Sequence, residues 1–490
     1  MRQIQSPKRP SSSNASVRNG AAMTLEPTEA IIEKALSGAK IFPLWLDHPD
    51  RPSPQPKLRG VIPADLAIVG GGFTGLWAAI QAKEQDPSCE IVLIEAGEIA
   101  FGASGRPGGI VSTSIMHGLK NAVRVFPDDV GELERLGQEN LDGFRDTIDR
   151  YAIDADFEWN GEMTVAVNDR ELPELREEFD LHRKYGHDVE WLDAEAVRRH
   201  LNCPDFVGGM WSHERSGTVH PAKLAWGLKA AAISLGVKIF EHTRMDELRP
   251  IGAGLRVRTE SGEITAHRVF LATNAWGAKQ KKVKRRIMAM RDHVLATEPL
   301  TDEQLARIGW TERQGIYDTR TELNYLRLTK DNRIVFGGSV GYAFGNDLEP
   351  ASDEEISTYY ALARDFFRKF PALTDVRISH VWGGPIDYCL RYSMYFEPLH
   401  GGRAVYVGGY TGFGVSGTRF GARIGLALLK GEKAPELELD IVRKKPAMIP
   451  PEPFRWIGAR ITLAVLKDVD TKGGWRLWWI RFVNFLGYPI

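Results

Sequence analysis

The sequence predicts an α/β protein with a nucleotide-binding domain that is discontinuous along the chain and a second domain built on a mixed antiparallel sheet. Two similar segments and the stretch between them predict this fold. An apolar strand, a glycine-rich turn and a helix follow one another near residue 70, and the same order recurs near residue 410. Between them, strands alternate with helices. With 490 residues, 43% of them hydrophobic, the chain is long enough for two or three domains.

Charge and cysteine content argue against nucleic-acid binding, a disulfide framework and a structural zinc site. The chain has 63 basic and 64 acidic residues, so its net charge does not favour nucleic acid. We interpret the basic run Lys279–Arg286 as a solvated edge. Cys89, Cys203 and Cys389 lack CxxC spacing, which argues against a disulfide framework or structural zinc, and no metal-ligand cluster is found. A reducing, cytoplasmic compartment is expected.

The first 42 residues are expected to form a disordered Ser-rich tail that ends in a short helix, EAIIEKAL. The tail lacks the apolar segment of a secretory signal. No uninterrupted apolar stretch has the length needed to span a bilayer, so a soluble protein is expected.

The remaining elements are predicted from periodicity and turn signals. Apolar residues at helical spacing predict helices, and alternation around a Ser-Gly pair predicts a hairpin. Proline suits the first turn of a helix. In chain order, the predictions are a strand at Asp65–Val69, a helix from about Phe73 to Lys83, a strand ending at Glu95, an amphipathic helix bearing Leu133, Leu136, Phe144, Ile148 and Tyr151, a helix from Pro221 to near Gly236, a hairpin around Ser261 and Gly262, and a strand, turn and helix in RAVYVGGYTGFGVSGTRFGARIGLALLKG.

The glycine-rich turn after the first strand has the GxGxxG spacing of a Rossmann-like dinucleotide site. Gly70 permits the tight turn, Gly72 lets a pyrophosphate approach the backbone, and Gly75 permits close packing of helix on strand. Phe73 and Thr74 begin the helix, whose N-terminus favours phosphate. Glu95, 20 residues after Gly75, is placed to accept hydrogen bonds from a ribose hydroxyl. This motif alone does not separate NAD from FAD.

The next segment, GEIAFGASGRPGGIVSTSIMHG, resembles the loop of the D-amino acid oxidase and glycine or sarcosine oxidase superfamily of FAD-dependent oxidoreductases. The likeness is greatest to the gamma-glutamylputrescine oxidoreductase group. The segments TVHPAKLAWGL, FLATNAW, LATEPL, YLRLTKDNRIVFGG, VWGGPID and GYTGFGV follow in that group's order, and the likeness covers roughly Pro43 to Gly431. Two departures are Pro107, where the group usually has Asn, and the segment PIDYCLRYSMYF.

The resemblance implies non-covalent FAD and a set of residues that contact it. Some sarcosine-oxidase-like enzymes attach flavin through a cysteine, but the pattern around Cys389 does not match theirs. With the first glycine turn included, the FAD-binding residues are expected to be Gly70, Gly72, Phe73, Thr74, Gly75, Glu95, Ser104, Arg106, Gly108, Gly109, Gly412, Phe413 and Gly414.

The expected reaction oxidises a primary or secondary amine or amino acid to an imine by hydride transfer to flavin, with oxygen or another acceptor taking the electrons. Such chemistry needs positioning, desolvation and loss of the ammonium proton. His117 is a candidate proton acceptor, and Tyr325, Trp382 and Tyr410 are candidate substrate walls, with Trp211 a further aromatic candidate. Two alternatives stay open: a NAD-dependent dehydrogenase, and a flavin-binding electron-transfer or interaction subunit without independent turnover.

The likeness and the predicted elements divide the chain into alternating parts. The C-terminal Trp- and Arg-bearing extension is interpreted as a helical pair docked on the flavin domain, in preference to a membrane or partner surface. The predicted parts are 1–42 as tail and short helix, 43–118, 215–285 and 379–435 as FAD-binding domain, 119–214 and 286–378 as substrate domain, and 436–490 as helical extension.

Overall fold

The computed structural model describes residues 3–4, 26–349 and 355–485. Most of the expected disordered tail therefore lies outside the described residues, as do the last five residues of the chain. The short helix at the end of the tail forms as its sequence predicts, over Glu29–Leu36.

The strands belong to two large sheets and one two-stranded ribbon. In chain order, those of the described residues are β1 (Lys40–Ile41), β2 (Gly60–Val69), β3 (Ile91–Ile94), β4 (Ile110–Ser112), β5 (Glu162–Ala166), β6 (Val189–Asp193), β7 (Gly208–Ser212), β8 (Ser216–Thr218), β9 (Lys238–Phe240), β10 (Met245–Ile251), β11 (Gly254–Thr259), β12 (Gly262–Leu271), β13 (Met288–Thr297), β14 (Gly315–Asp318), β15 (Tyr325–Leu328), β16 (Ile334–Tyr342), β17 (Ile378–Tyr388), β18 (Tyr395–Leu399) and β19 (Ala404–Gly408).

The helices surround these sheets. In chain order, those of the described residues are α1 (Glu29–Leu36), α2 (Phe73–Gln85), α3 (Leu119–Val125), α4 (Val130–Arg150), α5 (Leu172–Lys184), α6 (Ala194–His200), α7 (Pro221–Ser234), α8 (Asp302–Ile308), α9 (Ile356–Lys369), α10 (Gly414–Lys430), α11 (Asp440–Arg443), α12 (Phe454–Lys472) and α13 (Trp475–Phe485).

One sheet is the predicted nucleotide-binding sheet. Its parallel centre runs β19-β12-β2-β3-β9, and the β10–β11 hairpin and β18 extend it by antiparallel pairing. The predicted hairpin joins β11 to β12, and β12 also pairs with β2 and β19. Helix α2 packs against α7 and α10, which brings together segments far apart in sequence. The nucleotide-binding domain is thus discontinuous, as predicted.

The other sheet has nine strands in the order β1-β17-β13-β16-β15-β14-β5-β7-β6. Most of its neighbouring strands are antiparallel, while β1 with β17 and β14 with β5 are parallel. Residues 379–388, assigned from sequence to the FAD-binding domain, lie in β17 of this sheet. Strand β17 has eleven residues and pairs with β13 along its length. The domain boundary predicted at residue 379 therefore falls inside a strand. The other domain boundaries stay predictions.

The C-terminal extension forms the helical pair α12 and α13. Helix α12 packs against β16 of the nine-stranded sheet, a contact that the sequence did not predict. The segment that leads into α12, residues 446–455, is held by hydrogen bonds to Lys284, Arg285 and Arg286. Within the described part of the chain, no helix is long and apolar enough to cross a membrane.

Candidate active site

Residues of both large sheets line one cavity of about 1180 Å³. Of the predicted site residues, Gly75 is the one that does not line it. A Cβ at Gly75 would lie 2.0 Å from the carbonyl oxygen of Gly70, so this glycine serves the close packing of α2 on the turn, as its spacing predicts. The predicted residues that line the cavity are Gly70, Gly72, Phe73, Thr74, Glu95, Ser104, Arg106, Gly108, Gly109, His117, Tyr325, Trp382, Tyr410, Gly412, Phe413 and Gly414.

The conformation of the first glycine turn is fixed by Gly70 and by hydrogen bonds to Glu95. Gly70 has φ of +112°, and a Cβ there would lie 2.4 Å from the carbonyl oxygen of Ala272, so no other residue fits without a shift. The Glu95 carboxylate accepts hydrogen bonds from the backbone N–H groups of Gly71 at 2.7 Å and Gly97 at 2.8 Å. Burial raises the pKa of this carboxyl. The side chain therefore fixes both segments at the edge of the cavity.

Two tryptophan indoles anchor the loop that follows Glu95. The Trp45 N–H donates to the carbonyl oxygen of Pro107 and the Trp382 N–H to that of Arg106, each at 2.9 Å. The Arg106 guanidinium donates in turn to the carbonyl oxygen of Gly383. Pro107, which lacks the amide side chain usual in the resembling group, contributes its backbone carbonyl. Trp382 and Gly383 of β17, together with Trp45, thus hold this loop by side chain to backbone hydrogen bonds.

The second glycine turn precedes α10 and packs on His117. Gly412 has φ of +90°, and the His117 ring lies 4.0 Å, centroid to centroid, from the ring of Phe413. Burial lowers the pKa of His117 to about 3, so its ring is neutral at neutral pH. Its Nδ1 atom is buried and has no hydrogen-bond partner among the described residues. A polar group of a bound molecule would satisfy it.

Asp292 and Tyr325 form a half-buried, hydrogen-bonded pair in the same cavity. Asp292 lies on β13 and Tyr325 on β15, and both strands pair with β16. The Tyr325 hydroxyl donates to Asp292 Oδ2 at 2.7 Å, and the backbone N–H of His293 donates to Oδ1 at 3.1 Å. Burial raises the pKa of Asp292 to about 7 despite these hydrogen bonds, and Glu322 adds to the rise.

Sequence reasoning missed Asp292. Its one signal is a charged residue in the middle of the apolar strand MAMRDHVLAT, and Asp292 becomes a site residue only through the register that places it near Tyr325. Because a carboxyl with a pKa of about 7 takes up or releases a proton at neutral pH, the pair is suited to acid-base chemistry.

The three predicted wall residues have different surroundings. Tyr325 faces Asp292, and its ring would lie 2.8 Å from a Cβ at Gly108 of the loop. The indole of Trp382 supports the loop. The Tyr410 hydroxyl accepts a hydrogen bond from Thr74 of α2 at 3.0 Å. Each lines the cavity, but Trp382 and Tyr410 use their polar atoms to hold neighbouring segments.

Two further residues considered from sequence lie outside the cavity lining. Trp211 packs in the nine-stranded sheet against His200 and His213, with ring centroids 4.6 and 4.4 Å away. Cys389 is buried, and its thiol donates to the carbonyl oxygens of Ser393 and Gly409. Burial raises the pKa of this thiol, which disfavours the thiolate that covalent attachment needs.

Comparison with known proteins places these features in a family. A family model described as DAO, FAD dependent oxidoreductase, matches residues 65–425. The chain belongs to this family. It is 33% identical over 387 residues to the gamma-glutamylputrescine oxidoreductase of Escherichia coli, covering 78% of this chain and 87% of the relative. It is 29% identical over 439 residues to the probable oxidoreductase OrdL of Haemophilus influenzae, covering 88% and 94%.

Among solved structures, the glycine oxidase of Geobacillus kaustophilus shares the fold. That likeness has a TM-score of 0.66 at 17% identity and covers 78% of this chain and 99% of the other. The family resemblance and the Rossmann-like fold expected from sequence are confirmed. As a DAO family member, the protein is an FAD-dependent oxidoreductase, so the nicotinamide-dependent alternative and the subunit without turnover are set aside.

The cavity suits the FAD that this family binds. The tight turn at Gly70, the acid at Glu95 and the helix N-terminus at Phe73 are three features of a dinucleotide site. Ser104 Oγ accepts a hydrogen bond from the Phe73 N–H at 2.9 Å, which ties the loop to that helix N-terminus. The buried, partnerless nitrogen of His117 lies beside the second turn, where the resemblance places the flavin ring.

Proposed function

We propose that this protein oxidises a primary or secondary amine or amino acid to an imine, using non-covalently bound FAD. One observation carries the proposal. Asp292, a half-buried carboxyl whose pKa is raised to about 7, lines the same cavity as the flavin loop and the second glycine turn. A substrate in this cavity would therefore have a proton acceptor within reach of the cofactor site.

The chain's own residues would bind the substrate, exclude water and remove one proton. Bound FAD supplies a hydride acceptor. An amine arrives mostly as an ammonium, and the ionised Asp292 carboxylate takes one N–H proton, which frees the nitrogen lone pair. Loss of hydride from the neighbouring carbon then leaves an iminium, which water converts to a carbonyl compound and ammonium or a smaller alkylammonium. The two hydrogens lost are thus one proton to Asp292 and one hydride to the cofactor.

Asp292 suits this proton transfer better than His117 does. A base with a pKa near the working pH is ionised and still able to accept a proton. His117, whose pKa is lowered to about 3, holds a proton too weakly for the role. We propose that His117 contacts the cofactor, with Phe413 packed on its ring.

The same surroundings support the remaining site assignments. We propose that Glu95 binds the ribose, that Gly72 and the α2 N-terminus bind the pyrophosphate, and that Ser104, Arg106, Gly108 and Gly109 line the flavin. Cys389 does not line the cavity, which supports non-covalent binding. Cytoplasmic location remains a proposal, supported by three unpaired cysteines.

Two measurements on the purified protein test this function. Acid precipitation should release all yellow colour from the polypeptide, because the Cys389 thiol is not attached to flavin. Anaerobic addition of a panel of amines and amino acids should bleach the flavin absorbance. Bleaching by none of them would refute the proposed reaction, and colour retained on the precipitated chain but lost in Cys389→Ala would refute non-covalent binding.

A further inference from the structure

The charges around Asp292 make one end of the cavity acidic. The charged neighbour that acts on Asp292 is Glu322, also a cavity-lining residue and also an acid. Arg320 and Lys467 are the cations that act on Glu322. Neither lines the cavity: Arg320 is bound to Asp318 at 2.9 Å, and Lys467 is exposed on α12.

The cations that line the cavity are engaged elsewhere or exposed. Arg106 donates to the carbonyl oxygens of Phe101 and Gly383. Arg455 donates to the carbonyl oxygens of Pro450 at 3.0 Å and Lys284 at 3.2 Å. The other two, Arg244 and Lys279, are exposed. Among the described lining residues, therefore, no arginine or lysine forms an ion pair with Asp292.

Aromatic faces complete the lining near this acidic end. Tyr317 stacks on Phe413 with ring centroids 6.3 Å apart and an interplanar angle of 19°, and Tyr388 packs edge-on against Tyr392 at 5.3 Å. All four line the cavity with Tyr325. Aromatic faces attract organic cations, and a carboxylate in a low-dielectric site attracts them more strongly.

From this arrangement we infer that the substrate is an organic cation without a carboxylate, an amine whose nitrogen is bound by Asp292 and whose substituents contact the aromatic and apolar lining. This inference rests on the proposed function and narrows its substrate class. Amino acids would bring a second, negative group into an end of the cavity that already contains Asp292 and Glu322. Like charges at short range in a buried site are costly, so amino acids would bind weakly.

Binding can be tested apart from oxidation by titrating the holoenzyme calorimetrically with benzyltrimethylammonium. This quaternary cation has no N–H proton to lose and cannot form an imine. Phenylacetate, of similar size and opposite charge, is the paired probe. At about pH 9, where a carboxyl with a raised pKa is ionised, the cation should bind at least about tenfold more tightly than the anion. No measurable binding of the cation, or tighter binding of the anion, would overturn the inference.

Substitution of Asp292 tests whether this carboxylate is the group that binds the cation. Asp292→Asn, which keeps the shape and removes the charge, should weaken cation binding at least about tenfold, the range for losing a charged partner. Glu322→Gln should weaken it less, because the cation is bound by Asp292 and Glu322 only adds a neighbouring negative charge. Asp188→Asn, at an exposed acid outside the cavity, is the matched control and should bind like the wild type. Equal cation binding by wild type and Asp292→Asn would overturn the inference.

Substrate comparison separates this inference from the proposed function. Each amine should reduce the flavin with a kcat/KM at least about 100-fold above that of the amino acid with the same side chain. Preference for amino acids would overturn the cation inference and leave amine or amino acid oxidation intact. Reduction by neither class would overturn the proposed function, while the calorimetric comparison would still decide whether Asp292 binds cations.

Discussion

At the residue scale, the polar atoms of the predicted site residues have two different roles: some contact other site residues, and some hold a neighbouring segment in place. Tyr325 directs its hydroxyl to Asp292, in the part of the cavity where we place the substrate. Trp382 directs its indole N–H to the backbone of Arg106 in the flavin loop. Loss of Trp382 should therefore affect cofactor binding, whereas a purely wall-forming aromatic would affect the substrate alone.

Trp382→Phe keeps an aromatic ring and removes the hydrogen bond to Arg106. We expect the dissociation constant of FAD to rise roughly fivefold, since a neutral hydrogen bond contributes about 1 kcal/mol. Titration of the apoprotein with FAD measures this change. Trp310→Phe is the matched control, because that buried indole binds Gln314 at 3.1 Å and Trp310 is not in the cavity lining. Equal FAD affinities for the wild type and Trp382→Phe would exclude the anchoring role.

The raised pKa of Asp292 predicts a pH dependence for substrate oxidation. The ionised carboxylate accepts the proton, so the rate of flavin reduction should rise as pH increases through about 7, where Asp292 ionises. Burial and Glu322 raise this pKa, while the Tyr325 hydroxyl and the His293 N–H lower it. Asp292→Asn should lose the inflexion and react roughly 100-fold more slowly. Anaerobic stopped-flow reduction across pH measures both effects.

Glu322→Gln provides an independent check on the same pH profile. Removing a like charge should move the inflexion to lower pH, because ionisation of Asp292 becomes easier. The titration of the free amine in solution is unaffected by either substitution. An inflexion that persists unchanged in Asp292→Asn would assign it to the substrate and remove Asp292 from the proton transfer.

At the scale of elements, the C-terminal helices form part of the cavity wall. Thr462, Leu463 and Leu466 of α12, with Trp479 and Phe482 of α13, line the cavity. The family match ends at residue 425, so these helices lie outside the matched segment. Because α12 packs against β16, which pairs with the strands of Asp292 and Tyr325, we expect these helices to contact the hydrocarbon part of the substrate.

Leu466→Ala tests this contact. Removing apolar surface from the wall should raise KM roughly 5- to 30-fold for an amine with a large apolar substituent, corresponding to about 1–2 kcal/mol of lost burial. The dissociation constant of FAD should stay unchanged. Ile461→Ala, on the same helix but at an exposed position outside the lining, is the control. Parallel changes in both variants would indicate a general effect on α12.

At the scale of the whole molecule, the two glycine turns could be predicted from sequence because each is a local signal. Strand, turn and helix are contiguous in both segments, and Gly70 and Gly75 have the conformations and close contacts that their spacing implies. Asp292 could not be predicted, since its pairing with Tyr325 depends on the alignment of β13, β16 and β15. The docking of α12 likewise depends on long-range contacts with β16.

The functional proposal depends on the fact that residues of both large sheets line the same cavity. The nucleotide-binding sheet supplies the cofactor turn, and the nine-stranded sheet supplies Asp292, Tyr325 and the support for the flavin loop. A donor molecule between them would be in reach of both the proton acceptor and the cofactor. This predicts that the hydrogen lost from carbon passes directly to the flavin.

The most direct test is anaerobic single-turnover reduction of the bound FAD by a panel of amines, amino acids and 2-hydroxy acids. The best nitrogen-containing donor is then compared with its α-deuterated form. We predict reduction by an amine, slowed several-fold by deuterium because the carbon-hydrogen bond breaks in the observed step, with no reduction by 2-hydroxy acids. Reduction by 2-hydroxy acids and by no amine or amino acid would contradict the account.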